Sequence, residues 1–197
     1  MPFTDTHVPA PATLATPEFR LRPLTTDDAA RDHAALMETR EQLRLWEQST
    51  WPADDFTVDD NRADLAGLQQ RHAEGRAYTY AMVDPRDREN LGCVYVFPTT
   101  AAFLARSTVT PVGTESWDDV DAVVYFWVRA SRVPGGTDAR LLAALREWFR
   151  DAWGFARTAY VTNEQFTQQV ELFGGTDLDL AFELREPGKP GTYLIYA

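Results

Sequence analysis

Asp121-Ala-Val-Val-Tyr-Phe-Trp-Val128, Arg129-Ala-Ser-Arg-Val-Pro-Gly-Gly136 and Thr137-Asp-Ala-Arg-Leu-Leu-Ala-Ala-Leu-Arg-Glu-Trp-Phe149 together decide the fold. The first stretch is an apolar run of strand length, rich in β-branched and aromatic residues. The second breaks it with Pro134, Gly135 and Gly136. The third sets Leu141, Leu142, Leu145, Trp148 and Phe149 on one side of a helix. A strand that ends in a glycine turn and feeds a helix N-terminus suits an anion. The first-turn N–H groups lack partners, the dipole favours negative charge, and glycine lets a ligand approach the backbone. The turn lacks the spaced glycines and Lys-Ser/Thr of a nucleotide P-loop, and the three glycines of a dinucleotide turn. By itself it reads equally as a tight connection capped by Thr137 or Asp138, with nothing bound.

Outward from this centre the chain alternates strands and helices. Residues 1–17, rich in Pro, Ala and Thr, read as a flexible N-terminal arm, and residues 18–197 as one domain. Phe19 to Leu24 alternates as a first strand. A helix follows Thr25-Thr-Asp-Asp28 to about Gln42, and Leu45 to Pro52 reads as an irregular aromatic connection. A second helix covers Asp59 to Glu74. Strands at Ala77–Val83 and Leu91–Phe97 flank a polar hairpin, and Thr99 to Asp118 reads as a long loop. Beyond the central unit come a strand at Thr158–Thr162, a helix at Gln165–Phe173, and a hairpin of Leu180–Arg185 with Thr192–Tyr196. The expected fold class is therefore α/β (α+β), a single mixed twisted sheet of about seven strands with helices on both faces. The strands at 121–128 and 158–162 are expected to run parallel, because only their connection is a long helical crossover.

Composition narrows the function. The net charge of −11 disfavours nucleic acid and anionic membranes, which need a concentrated basic surface. No apolar run has transmembrane length and no basic-then-apolar leader opens the chain, so a cytoplasmic protein is expected. Cys93 stands in an apolar strand pattern and reads as a small buried hydrophobe. No His, Cys and carboxylate spacing matches a metal site, so no metal is expected. His33 and His72 lie in polar helical stretches and read as surface residues; His7 lies in the arm.

The element order and the central motif resemble the GNAT-type acyl-CoA N-acetyltransferases from about Phe19 to the C-terminus. Phe19-Arg-Leu-Arg-Pro-Leu-Thr-Thr-Asp-Asp28 is similar to the family's opening strand and helix start, and Leu91-Gly-Cys-Val-Tyr-Val96 to its third strand. The stretch from Val128 is similar to its pyrophosphate loop and helix, with Leu141-Leu142 at the paired aliphatics. Asn163 falls where the family often has a cofactor-contacting Asn, and Gly174-Gly175 where it usually has Gly-Phe. The family's loop, Gln/Arg-x-x-Gly-x-Gly/Ala, fits in two registers. One places Arg132, Gly135 and Thr137 in its slots; the other places Val133, Gly136 and Asp138. Pro134 removes one backbone donor, and the Asp138 carboxylate would compete for the same N–H groups.

The resemblance implies acetyl-CoA as acyl donor and a small-molecule amine attacking the acyl carbon directly. It implies pantetheine along Phe126, Trp127 and Val128, pyrophosphate at Gly135, Gly136, Thr137, Asp138 and Ala139, and Asn163 beside the pantetheine. Such chemistry needs a base for the amine, polarisation of the carbonyl and an acid for the thiolate. The family's usual tyrosine acid, seven residues after the Asn, is Val170 here, and neither Leu172 nor Phe173 replaces it. Tyr160, Tyr125 or a water would have to serve. Asp121 is the first candidate base, sharing a face with Val123, Tyr125 and Trp127. Its plainer reading is a solvated carboxylate beside Asp118 and Asp119; Glu115 is a second candidate. Trp46 and Trp51, with Phe56, fall where the family builds its acceptor pocket, although aromatics there also serve simple packing. A homodimer is left open. The competing expectation is a GNAT-fold binding or regulatory protein with little transferase activity, and a third is an unrelated mixed α/β small-molecule binder.

Overall fold

A computed structural model describes residues 9–197. Its single mixed sheet takes the order β1-β2-β3-β4-β6-β7-β9-β8-β5. The strands are β1 (Leu14–Ala15), β2 (Arg20–Pro23), β3 (Tyr78–Val83), β4 (Asn90–Phe97), β5 (Thr108–Pro111), β6 (Ala122–Val128), β7 (Thr158–Asn163), β8 (Leu180–Arg185) and β9 (Tyr193–Tyr196). The helices are α1 (Ala29–Glu47), α2 (Val58–Ala73), α3 (Ala102–Arg106), α4 (Thr137–Asp151) and α5 (Thr167–Gly174). The expected parallel pair is present: β6 and β7 run together and all other neighbours are antiparallel.

Every residue of β6 is buried, because helices cover both faces of the sheet there. On one face Leu36, Leu43 and Trp46 of α1 and Leu65 of α2 pack over Ala81, Cys93, Val123, Tyr125 and Trp127. On the other, Leu141, Leu142, Leu145 and Phe149 of α4 and Phe173 of α5 pack over Val94, Val124, Phe126 and Tyr160. Each such side chain removed from water stabilises the fold by about 1.5–3 kcal/mol. Alternation along β6 thus sends odd residues to the α1/α2 side and even residues to the α4/α5 side.

Three expectations need correction. The sheet has nine strands rather than about seven. The stretch Thr99–Asp118 is not a plain loop: it carries α3 and β5, whose exposed edge residues Thr108 and Thr110 show no apolar alternation. Helix α1 continues past Gln42 to Glu47, which places Trp46 in its last turn. Of the expected N-terminal arm, residues 1–8, with His7, lie outside the described residues. Residues beyond them lie against the domain: Leu14–Ala15 pairs with Leu21–Arg20, and Tyr80 Oη donates to the Pro11 carbonyl at 2.8 Å.

A polar knot fixes the start of α1. Arg22 donates to both carboxylate oxygens of Asp28, at 2.9 and 2.6 Å, and to both of Asp87, at 3.0 and 2.9 Å. The fork geometry ties β2, the helix start and the β3–β4 hairpin into one unit. Deeper in, Asp32 is 3% exposed and accepts from Asn61 at 2.9 Å and from Asn90 at 2.6 Å. Burial pushes its carboxyl up to about 6, against the lowering effect of the Asn61 hydrogen bond.

Candidate active site

The paired register of β6 and β7 stops early. Ala122 faces Thr158, Val123 faces Ala159 and Val124 faces Tyr160; no later pair forms. Continued at the same offset, Phe126 would face Thr162, but the Phe126 carbonyl instead accepts from Gln169 Nε2 of α5 at 2.9 Å. On the opposite side β4 closes tightly on β6. A Cβ on Gly92 would stand 2.2 Å from the Trp127 carbonyl oxygen. The gap is therefore one-sided, between Tyr125–Val128 and the end of β7. Three buried polar atoms at this gap and its α5 wall find no partner in the protein: Thr162 Oγ1, Asn163 Nδ2 and Gln169 Oε1. An unpaired buried polar group costs about 1–3 kcal/mol, so the cluster suits a ligand with its own donors and acceptors.

The glycine turn lies at the C-terminal end of β6. Ala130–Gly135 forms a 3-10 turn, and Gly136 at φ 73° hands the chain to α4. Only glycine adopts that conformation without strain. In front of Gly135 a Cβ would meet nothing within 4 Å. The buried Asp138 accepts from the Ala139 N–H at 2.9 Å and from Gln168 of α5, so its carboxylate does occupy a first-turn donor. The arginines around the turn are already engaged. Arg129 pairs with Glu38 at 2.6 Å and Glu89 at 2.8 Å, Arg132 pairs with Glu89, and Arg140 pairs with Glu18 at 2.7 Å. Glu38 and Thr39 also accept the Ser131 and Ala130 N–H groups, pinning the turn to α1.

On the α1/α2 face a cavity of 570 Å³ opens beside β6. Trp46, Trp51, Tyr95, Phe97, Phe103, Tyr125 and Tyr193 supply its aromatic walls, and Glu47, Asp64, Arg71, Glu186 and Lys189 its charges. Tyr125 and Tyr193 meet edge to face at 6.5 Å, and Trp46 meets Tyr125 at 5.8 Å. The β8–β9 loop closes one end: Lys189 Nζ donates to the Glu47 carbonyl and carboxylate, and Gln48 exchanges hydrogen bonds with Gly191. Burial raises the Tyr125 hydroxyl far above its ordinary value and raises Tyr193 as well, so both stay protonated at neutral pH. The Gln48 side chain opposes that rise. Burial also raises Glu186, countered by the Lys189 charge and reinforced by Glu47.

Of the residues singled out in the sequence, Tyr125, Trp46 and Trp51 meet at the cavity. Phe126, Trp127, Val128 and Asn163 border the gap, and Gly135, Gly136, Thr137, Asp138 and Ala139 form the turn beyond it. Two candidate catalytic residues do not join them. Asp121 lies exposed at the other end of β6, where its carboxylate accepts the Ala156 and Arg157 N–H groups at 2.7 and 2.8 Å. It closes a turn, as a strand-start carboxylate flanked by backbone donors does. Tyr160 points to the α4/α5 face, among Phe173 and Tyr196, because it shares parity with Val124 across the register. Glu115 is taken by Arg157 at 2.5 Å. Phe56 packs on Trp51 at 6.0 Å. Cys93 is fully buried with its thiol pushed up, as a packing residue would be. His33 and His72 are not free surface groups: His33 Nε2 bonds the Phe56 carbonyl at 2.7 Å, and His72 Nδ1 bonds Thr79 backbone.

Sequence reasoning missed Tyr193, Glu186 and Gln169. Tyr193 and Glu186 come from a C-terminal hairpin that carries no motif; only the fold brings them to β6. Among the described residues no group of three or more His, Cys, Asp or Glu is placed to hold a metal ion, and no helix is long and apolar enough to cross a membrane.

No protein-family model matches the chain, and no curated protein does. Solved structures do. The ribosomal-protein-S5-alanine acetyltransferase of Vibrio fischeri is 15% identical with TM-score 0.68, over 94% of this chain and 95% of that one. RimL, a ribosomal L7/L12 α-N-protein acetyltransferase in complex with coenzyme A, is 14% identical with TM-score 0.67, over 93% and 94%. RimJ of Mycobacterium smegmatis, in complex with a CoA disulfide, is 18% identical with TM-score 0.67, over 93% and 84%. A sheet parted between its two parallel strands, a glycine turn feeding α4 and near end-to-end overlap with these proteins lead to one conclusion: the chain has the GNAT acetyltransferase fold.

Proposed function

We propose that the protein is an acyl-CoA-dependent N-acyltransferase, with acetyl-CoA as donor and a small-molecule amine as acceptor. The observation that carries this reading is the gap between β6 and β7, with three buried polar atoms lacking partners, set between an open glycine turn and an aromatic cavity. The residues present fit coenzyme A. Backbone N–H groups of Thr137 and Asp138 and the α4 dipole would hold the pyrophosphate, the Gly136 N–H being given to the Val133 carbonyl and the Ala139 N–H to Asp138. Phe126 to Val128, Asn163 and Gln169 would meet the pantetheine amides.

The same geometry supports a role for each of three residues. Glu186, whose carboxylate has no hydrogen bond or ion pair among the described residues, takes the ammonium proton. The freed nitrogen bonds to the acyl carbon, the carbon–sulfur bond breaks, a phenol gives its proton to the leaving sulfur, and the surplus proton on the nitrogen restores the phenol. Tyr193 is the phenol we favour for that last step, since it is beside Asn163 in register and lines the cavity with Tyr125 next to it. These phenols occupy the role that Val170 cannot fill. Isothermal titration with acetyl-CoA, followed by an amine screen for released thiol, tests the reading. Absence of binding removes it.

One set of observations favours a second reading, a GNAT-fold binding protein without turnover. The arginines at the turn are neutralised by Glu38, Glu89 and Glu18, Asp138 holds a first-turn donor, and Val170 replaces the usual acid. Tight CoA binding with no thiol release from any amine would select it.

A further inference from the structure

We propose that the 570 Å³ cavity selects a primary ammonium carried on a flat aromatic body, with Glu186 as its counter-charge. The inference rests on the acyltransferase reading in taking the cavity as the acceptor end of the site. Its grounds are volume, wall chemistry and charge. A methylamine-sized acceptor would leave most of the cavity wet, whereas 570 Å³ lies within the range that encloses a small organic molecule. Rings from α1, β4, β6 and β9 form the walls, and such rings prefer edge-to-face or offset contact with another ring.

The charge is also specific. Lys189 and Glu47 neutralise each other at 3.2 Å. Asp64, which burial raises and the Trp51 side chain holds, lies on exposed α2 together with Arg71. That leaves Glu186, half-buried, lining the cavity with Tyr125 and Tyr193 as a carboxylate with no ion pair among the described residues, where the more distant charges of Lys189 and Arg106 also reach it. An ammonium beside it finds an opposite charge and aromatic rings together, and each favours a cation over a neutral ligand of equal shape. Independently, Trp46 Nε1 is buried at the cavity wall without a partner, a donor left for an acceptor atom on the ligand.

The test uses the full chain without coenzyme A and follows binding by calorimetry and by the fluorescence of Trp46 and Trp51. Phenethylamine, phenethyl alcohol and propylamine are titrated in parallel. Saturable phenethylamine binding is expected, with the alcohol and propylamine each at least about tenfold weaker, the discrimination of roughly 1.4 kcal/mol that one desolvated contact supplies. Glu186→Gln should remove the preference for the amine over the alcohol while leaving alcohol affinity unchanged, a readout that a misfolded variant cannot give. Equal affinity for alcohol and amine, or propylamine binding as tightly as phenethylamine, overturns the proposal. So does a preference that survives Glu186→Gln. If phenethylamine binds but acetyl-CoA releases no thiol, the acyltransferase reading fails and the amine site stands. If acetyl transfer runs on propylamine alone, the reading stands and the aromatic preference fails.

Discussion

Glu186 enters the cavity without a donor to hold it, and its raised carboxyl gives the residue a titration that kinetics can read. On the proposed acyltransferase reading the ionised form accepts the amine proton, so kcat/KM should fall as pH drops through a value above the ordinary glutamate range. Glu186→Gln should cost about 10²–10⁴-fold in kcat/KM and abolish that acidic limb. A variant that keeps both the limb and the rate would remove Glu186 from the chemistry. At the turn, Asp138→Ala should tighten CoA binding by freeing the Ala139 N–H and removing a negative charge, while costing about 1 kcal/mol for the lost bonds to the Ala139 N–H and Gln168. Gly135→Trp should abolish the CoA-induced rise in melting temperature by filling open space. Gly136 is the poorer probe, because φ 73° strains any side chain placed there. The positions of the glycine turn and Asn163 were legible in the sequence because they depend on backbone shape and local order. The proposed acid and base were not, since Tyr193 and Glu186 reach β6 through tertiary packing alone. Asp121 misled because its position on the strand was right for the face but wrong for the end.

Elements were readable to the degree that their pattern is local. The β6–turn–α4 unit emerged from apolar spacing, and its crossover fixed the parallel pair. Strand β5 has exposed Thr108 and Thr110, so nothing in its period announces it; only pairing with β8 makes it a strand. The end of α1 was obscured because Leu45 and Trp46 follow a polar stretch and precede Pro52. The α1–α2–β4 junction carries its own prediction. Asp32, buried between Asn61 and Asn90, has a folded-state value of about 6 against an ordinary 3.8. A carboxyl raised by folding stabilises the fold below its unfolded value, and that contribution is lost as pH rises through the folded value. Stability should therefore fall between about pH 4 and pH 6, by up to roughly 3 kcal/mol from this group. Asp32→Asn should flatten the decline in a urea-melt series across that range, although the amide cannot accept from both asparagines. An unchanged slope would show that Asp32 does not titrate there.

For the whole molecule, Pro11, Leu14 and Ala15 of the N-terminal stretch belong to the sheet edge. Leu14 packs on the α4/α5-side core, Ala15 pairs with Arg20, and Pro11 caps Tyr80. Removing residues 1–17 should lower the melting temperature by about 5 °C, the shift expected for roughly 2 kcal/mol in a domain of this size. A change under about 1 °C would show that these contacts are unimportant. The stretch was unreadable because two paired residues cannot display a period. The pairing of the turn arginines with glutamates has a consequence that appears only when ionic strength is varied. An anion site built from free cations weakens as salt screens them. Here Arg129, Arg132 and Arg140 are already matched with Glu38, Glu89 and Glu18, and the protein as a whole carries −11. What salt screens is then chiefly the repulsion between an acidic protein and a polyphosphate, while the short-range backbone N–H contacts persist. Coenzyme A affinity should hold or rise as the Debye length shrinks from about 30 to about 3 Å, and the added salt should mainly speed the approach of the donor.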